Sequence, residues 1–146
     1  MKENELISLG LQLKIKLPPI VRNISRKFVS KVWGWEDWII NNELYCGKIL
    51  FIKAGHMTSW HYHKIKDECF YVQEGELTVR HSDYDCLDKQ GNLNLKIADL
   101  SNMKKDDSLH MPPKRRHRLI ANTNCYLFEF STHHEDSDSI RIQEGR

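Results

Sequence analysis

Two histidines two residues apart, His61 and His63, constrain the fold of this chain more than any other feature. On a β-strand alternate side chains share a face, so residues two apart point the same way; helical neighbours would stand three or four apart. The surrounding run reads Gly55, five residues, His61, Tyr62, His63, four residues, Glu68, six residues, Gly75. The two imidazoles thus project side by side, and Glu68 reaches the same space after a short bend. A fourth donor must come from another strand. His117 is the natural choice, because it follows the Pro112-Pro113 turn and opens an apolar strand that runs to Asn122. Three imidazoles and one carboxylate suit divalent manganese, iron, cobalt, nickel or zinc, and ligand type alone does not choose among them.

With these residues the chain resembles the cupin superfamily. Gly55 to Gly75 matches the first cupin motif, GxxxxxHxHxxxxExxxxxxG, at every fixed position. The second motif, GxxxxxPxGxxHxxxN, is matched by Pro112 and His117, while Asp106 and Lys114 stand where the family has glycines and Asn122 lies one place late. The resemblance spans Lys31 to Ile142. It implies an all-β fold, a double-sheet β-barrel of jelly-roll type, with one divalent metal ion in its mouth held by His61, His63, Glu68 and His117. Residues 1–30 would then be an N-terminal strand and connecting segment, 31–142 the barrel and 143–146 a tail.

The chain has 146 residues and a net charge of +2, with acids and bases interspersed. That length buries one core. Near-balanced charge gives no support for nucleic-acid binding, and no stretch is apolar for long enough to span a membrane. Met1 to Gly10 lacks the apolar core of a secretion signal, so the expected location is cytoplasmic. Cys46, Cys69, Cys86 and Cys125 form no CxxC pair and are expected to be free thiols.

Period two dominates the chain. Leu9, Leu11, Leu13, Ile15 and Leu17 alternate as an amphipathic strand that Pro18 and Pro19 end. Such a strand has to bury its apolar side on its own barrel or on a neighbour's, and cupin-like barrels commonly pair, so a homodimer is expected. Ile20 to Ser30 reads as a turn or short helix. Trp35 to Ile40 and Tyr45 to Lys53 form a hairpin about Asn41 and Asn42. Strands follow at Ser59–His63, Glu68–Val72, Leu77–Arg80, Leu93–Leu100, Ser108–Met111, His117–Asn122 and Cys125–Ser131, which makes a barrel or sandwich. His81 to Asn92 is a polar loop, read as a plain insertion, with Tyr84 as a lid the alternative. Alternation puts Trp33 and Trp35 on one face and Trp38 on the other.

Four protein donors on a six-coordinate ion leave two positions for neighbouring substrate oxygens, the arrangement that stabilises an enediolate between an aldose and a ketose. A proton carrier is also needed. Glu129 fits, because Tyr126, Phe128 and Phe130 alternate with Leu127 and Glu129; a carboxylate facing the barrel must be paired or functional, and one facing out is merely solvated. Lys114, Arg115 and Arg116 could take a phosphate or carboxylate of the substrate, with Arg118 facing away from His117. His133 and His134 lie in a polar exit segment, Ser131 to Ser139, where a second metal is the alternative to solvation.

Two further stretches resemble sugar-handling cupins. Lys31-Val32-Trp33-Gly34-Trp35-Glu36, with Tyr45-Cys46-Gly47-Lys48, looks like the entry to cupins of the mannose-6-phosphate isomerase and mannose-1-phosphate guanylyltransferase type. The ending from Glu129 to Ser139 is similar to those of D-lyxose isomerase-like cupins and of cupins associated with sialic acid synthases. These resemblances imply a metal-dependent sugar or sugar-phosphate isomerase acting on a small-molecule substrate. An iron-dependent dioxygenase and a non-enzymatic ligand-binding barrel are the alternatives, since one fold hosts all three.

Overall fold

The computed structural model describes residues 18–22 and 24–146. Its strands are β1 (Lys27–Lys31), β2 (Gly34–Asn41), β3 (Cys46–Ile52), β4 (Trp60–His63), β5 (Glu68–Glu74), β6 (Glu76–Ser82), β7 (Asp99–Lys104), β8 (Ser108–Met111), β9 (Arg116–Ala121), β10 (Cys125–Ser131) and β11 (Ser139–Gln143). They form two antiparallel sheets, one ordered β1-β2-β3-β10-β5-β8 and the other β11-β4-β9-β6-β7. This is the double-sheet jelly-roll barrel that the motif implies. Among the described residues no helix is long and apolar enough to cross a membrane.

Register explains how the barrel sorts its interior. In the first sheet Leu50, Leu127 and Val72 stand opposite one another across β3, β10 and β5; two residues along, the row is Lys48, Glu129 and Phe70. In the second sheet Val79 faces Leu119 and Leu77 faces Ala121, whereas the row before them pairs His61 with His117. Both sheets therefore change from apolar to polar at the same level. The apolar end holds a core of Leu50, Ile52, Val72, Leu77, Val79, Leu119 and Leu127, and the other end holds the histidines and charges. Burying each such aliphatic side chain contributes roughly 1.5–3 kcal/mol, so the apolar rows stabilise the frame that carries the polar ones.

Local expectations fare unevenly. The apolar alternation from Leu9 to Leu17, on which the pairing of two copies rests, lies outside the described residues. Ile20 to Ser30 is not a turn or helix throughout, because Lys27–Lys31 pairs with β2. Its strand state comes from that partner, which local propensity does not register. At the following turn Trp33 leaves the alternation and enters the core, while Trp35 joins an aromatic cluster on the outer face with Phe28, Phe51 and Tyr126. Trp33 and Trp35 are thus on opposite sides, since the Val32–Gly34 turn resets the period.

The expected strand at Leu93–Leu100 is displaced. Leu95–Ile97 is a short 3₁₀ turn capped by the Asn94 side chain, and β7 begins at Asp99. Leu93 and Leu95 pack on a satellite core of Trp60, Cys86 and Ala98, so their alternation serves loop packing instead of a sheet face. The polar loop between β6 and that turn is anchored there, with the Trp60 indole N–H donating to the Asp85 carbonyl at 2.8 Å. Tyr84 is exposed and takes no part in covering the barrel mouth. The last strand, β11, extends the second sheet beside β4 and was not expected. Residues 143–146 are no loose tail: Arg118, buried, donates to the Gln143 side chain at 2.7 Å and to the Glu144 carbonyl at 3.1 Å, and Met57 and Arg146 exchange backbone hydrogen bonds.

Candidate metal centre and cavity

A cavity of about 700 Å³ opens at the polar end of the barrel. His61, His63, Glu68 and His117 all line it, as does Glu129. His61 and His117 are register partners on β4 and β9, with ring centroids 4.5 Å apart; His63 follows two residues on, its ring 5.1 Å from His61 and 6.2 Å from His117. Glu68 enters from the other sheet, with Oε1 3.5 Å from His63 Nε2 and Oε2 3.2 Å from His117 Nε2.

The protonation pattern follows from the backbone. His117 Nδ1 stands 2.9 Å from the Arg115 carbonyl, and His61 Nδ1 stands 3.2 Å from the Ser59 carbonyl. A carbonyl only accepts, so donating to it puts the His117 proton on Nδ1 and turns its Nε2 lone pair to the cavity, as metal-binding imidazoles require; at His61 the Ser59 hydroxyl, 3.0 Å from Nδ1, can donate or accept beside that carbonyl. Burial, with the neighbouring His117 and His63, pushes His61 well below the usual histidine range. Burial also takes His63 down to about 4 against the pull of Glu68. Burial alone would raise the Glu68 carboxyl, but His117 and Lys66 beside it hold it well below its ordinary value.

Two of these groups face each other without a hydrogen bond. Glu68 Oε2 and His117 Nε2 are buried and unpartnered, and His63 Nδ1 is likewise unpartnered, 3.8 Å from Asp138 Oδ2. A carboxylate oxygen against an imidazole lone pair is a pair of acceptors that only a cation or a proton reconciles, and buried polar atoms of this kind call for a partner. The donor set therefore fits a divalent metal. It is not a ready-made cage: among the described residues no three His, Cys, Asp or Glu side chains are drawn together closely enough to grip an ion as they stand.

Lys66 reaches into the same space. This lysine is 2 % exposed; its ammonium donates to Glu68 Oε1 at 2.6 Å and to Glu129 Oε1. Burial disfavours its charge, but Glu129 and Glu68 outweigh burial and hold it above the ordinary lysine value. The loop carrying it is fixed by Asp138, whose carboxylate accepts the Ile65 and Lys66 backbone N–H groups at 2.9 Å each. Glu129 faces inward with Cys125 and Leu127, while Tyr126, Phe128 and Phe130 face out. Beyond it stands Lys48, 3 % exposed, 4.0 Å from Glu129, 3.6 Å from Glu36 and 3.2 Å from His134 Nδ1, with Trp38 beneath its ammonium.

The basic run does not join this site. Arg115 pairs with Asp83 and Asp99, and Arg116 pairs with Asp85 over the Tyr62 ring. Lys114 is exposed in a turn at φ 68°, and none of the three lines the cavity. His133 and His134 part company: His133 meets the Asn42 carbonyl, and His134 turns to Lys48 and Asp136. Lys48 had a signal in the sequence, because Cys46, Lys48, Leu50 and Ile52 alternate on one buried face. Lys66 and Asp138 had none, since each lies in or beside a turn where charge is ordinarily solvated.

No family model and no curated protein matches the chain. Solved structures do. The capsular polysaccharide assembling protein CapF of Staphylococcus aureus superposes with a TM-score of 0.62 at 14 % identity, over 80 % of this chain and 34 % of CapF. Oxalate decarboxylase of Bacillus subtilis, a protein with Mn(II) centres, gives 0.64 at 14 % identity over 85 % of this chain and 33 % of its own. KdgF from Halomonas sp. gives 0.61 at 12 % identity over 83 % of this chain and 98 % of its own. The chain thus spans about a third of the first two proteins and nearly all of the third. At these identities the likeness is one of fold.

Proposed function

We propose that this chain, which has the cupin fold, is a metal-dependent isomerase of a sugar or sugar phosphate. One observation carries the metal half of the reading: Glu68 Oε2 and His117 Nε2, buried and unpartnered, meet 3.2 Å apart over a cavity of about 700 Å³. His61, His63, Glu68 and His117 would hold the ion. A bound divalent metal would supply Lewis-acid polarisation of neighbouring substrate oxygens. The Mn(II) centres of oxalate decarboxylase support metal use on this fold, and the polysaccharide role in CapF's name supports a carbohydrate ligand.

The chain's own residues supply the rest. Interconverting an aldose and a ketose moves a proton between adjacent carbons, and Glu129 is a buried, inward-facing cavity carboxylate outside the donor set. Lys66, bonded to it, would orient that carboxylate and stabilise its ionised form. A phosphate or carboxylate on the substrate would meet Lys48 at the cavity wall, not Lys114, Arg115 or Arg116. The cavity volume of about 700 Å³ suits a monosaccharide.

The test is a turnover screen of pentoses, hexoses and their phosphates with manganese, zinc, cobalt or nickel supplied, alongside Glu129→Gln. The expected result is aldose-to-ketose conversion in the native chain. Glu129→Gln, assayed at saturating metal, is expected to lose roughly 10²–10⁴-fold of that rate, the span that general acid–base groups supply. Full activity in the variant removes Glu129 from the reaction. Oxygen uptake without isomerisation would replace this reading with oxygenase chemistry.

A further inference from the structure

We propose that Lys66 is an internal rival of the metal ion, and that Glu129 is the carboxylate that receives its ammonium when metal takes Glu68. This inference rests on the metal reading above. The ammonium lies 2.6 Å from Glu68 Oε1, so one oxygen of the donor carboxylate is already committed to a cation. Any ion held by Glu68 must share that carboxylate with the ammonium, and like charges side by side in a desolvated site repel far more than they would in water.

Relief is built into the same side chain. Lys66 has a second carboxylate in Glu129, on a different strand, and can keep that bond while releasing Glu68. Its backbone stays where Asp138 fixes it, so a rotation of the side chain suffices. The site is thus balanced without metal and must part with one ion pair to accept it. Glu129, which is no ligand, strengthens metal binding by giving the displaced ammonium somewhere to go. Lys48 4.0 Å beyond Glu129 limits how strongly it does so, because two ammoniums then lean on one carboxylate.

The two residues therefore have opposite effects on metal affinity. Neutralising Glu129 alone leaves Lys66 bound to Glu68 with nowhere else to pair, and affinity falls. Removing Lys66 and Glu129 together, as Lys66→Met with Glu129→Gln, takes away the rival cation without orphaning its second partner, and affinity rises. A lysine with a merely structural part would give the same sign in both variants. Expected changes are roughly ten- to a hundredfold each way, the range seen when groups around a metal's ligands are altered.

The experiment is calorimetric titration of Zn²⁺, and separately of Mn²⁺, into the chelator-treated full chain, with circular dichroism confirming that each variant is folded. Weaker binding in Glu129→Gln together with tighter binding in the double variant supports the inference. Equal affinities in all three proteins, or the same sign in both variants, overturn it while leaving the metal reading intact. Binding by the double variant alone would uphold Lys66 as the rival and remove the native chain from the metal-dependent class. No binding by any of the three overturns both readings.

Discussion

At the scale of the residue, burial sets the charge of the site before any ligand arrives. His61, His63 and His134 are each held below the ordinary histidine value of 6.5, chiefly by burial, and His63 reaches about 4. In the unfolded chain these rings take their protons near pH 6.5; in the folded chain they take them later. Below about pH 6.5 the unfolded state therefore binds more protons, down to about pH 4 in the case of His63, and stability falls as pH falls, by at most about 1.4 kcal/mol per pH unit for each ring. Glu68, depressed below its ordinary 4.5, adds a loss in the same direction at lower pH. Denaturant midpoints of the metal-free protein at pH 7, 6 and 5 are expected to drop steadily; a midpoint unchanged down to pH 5 would mean that these histidines are not buried neutral. That His61, His63, Glu68 and His117 line one cavity was legible because strand parity and fixed spacing bring them together whatever the rest of the barrel does. Lys66 was not, because what buries it is Glu129, 63 residues later and on another strand. Glu129 was half legible: alternation separated it from the aromatics, but nothing local said that the aromatics face outward.

At the scale of the element, pairing partners decide where local pattern is silent. β1 and β11 are short and polar, and each becomes a strand beside a neighbour that supplies its hydrogen bonds. The motif's last glycine is a different case, where local geometry makes the demand. Gly75 turns β5 into β6 at φ 96°, and a Cβ there would stand 2.3 Å from the Asn124 carbonyl oxygen. That turn sets the register that places Glu68 and the β6–β9 pairing on one barrel. Gly75→Ala is expected to cost at least about 1–3 kcal/mol, from positive-φ strain plus the backbone clash. Thermal or denaturant unfolding of the variant checks this; native-like stability would show that the turn relaxes without penalty. The basic run at Lys114 to Arg116 shows the converse. Its charges looked like a substrate contact in sequence, but Asp83 and Asp85 from the loop after β6 and Asp99 from the start of β7 meet the two arginines, and no local pattern ties them together.

At the scale of the whole molecule, the barrel is a frame with one apolar end and one chemical end, and both sheets switch character at the same level. The fold class was legible from period two and the motif, and the strand order was not, because order depends on pairings between distant segments such as β3 with β10 and β4 with β11. The chemistry gathers where rows from both sheets end in His61, His117, Lys48 and Glu129 around one cavity. The claim on which the functional account depends is that this end holds a divalent metal. Elemental analysis of the chelator-treated and reconstituted chain, beside His61→Ala with His117→Ala, tests it most directly. The account predicts one metal ion per chain in the native protein and its loss from the folded double variant; equal metal in both, or none in either, would contradict it.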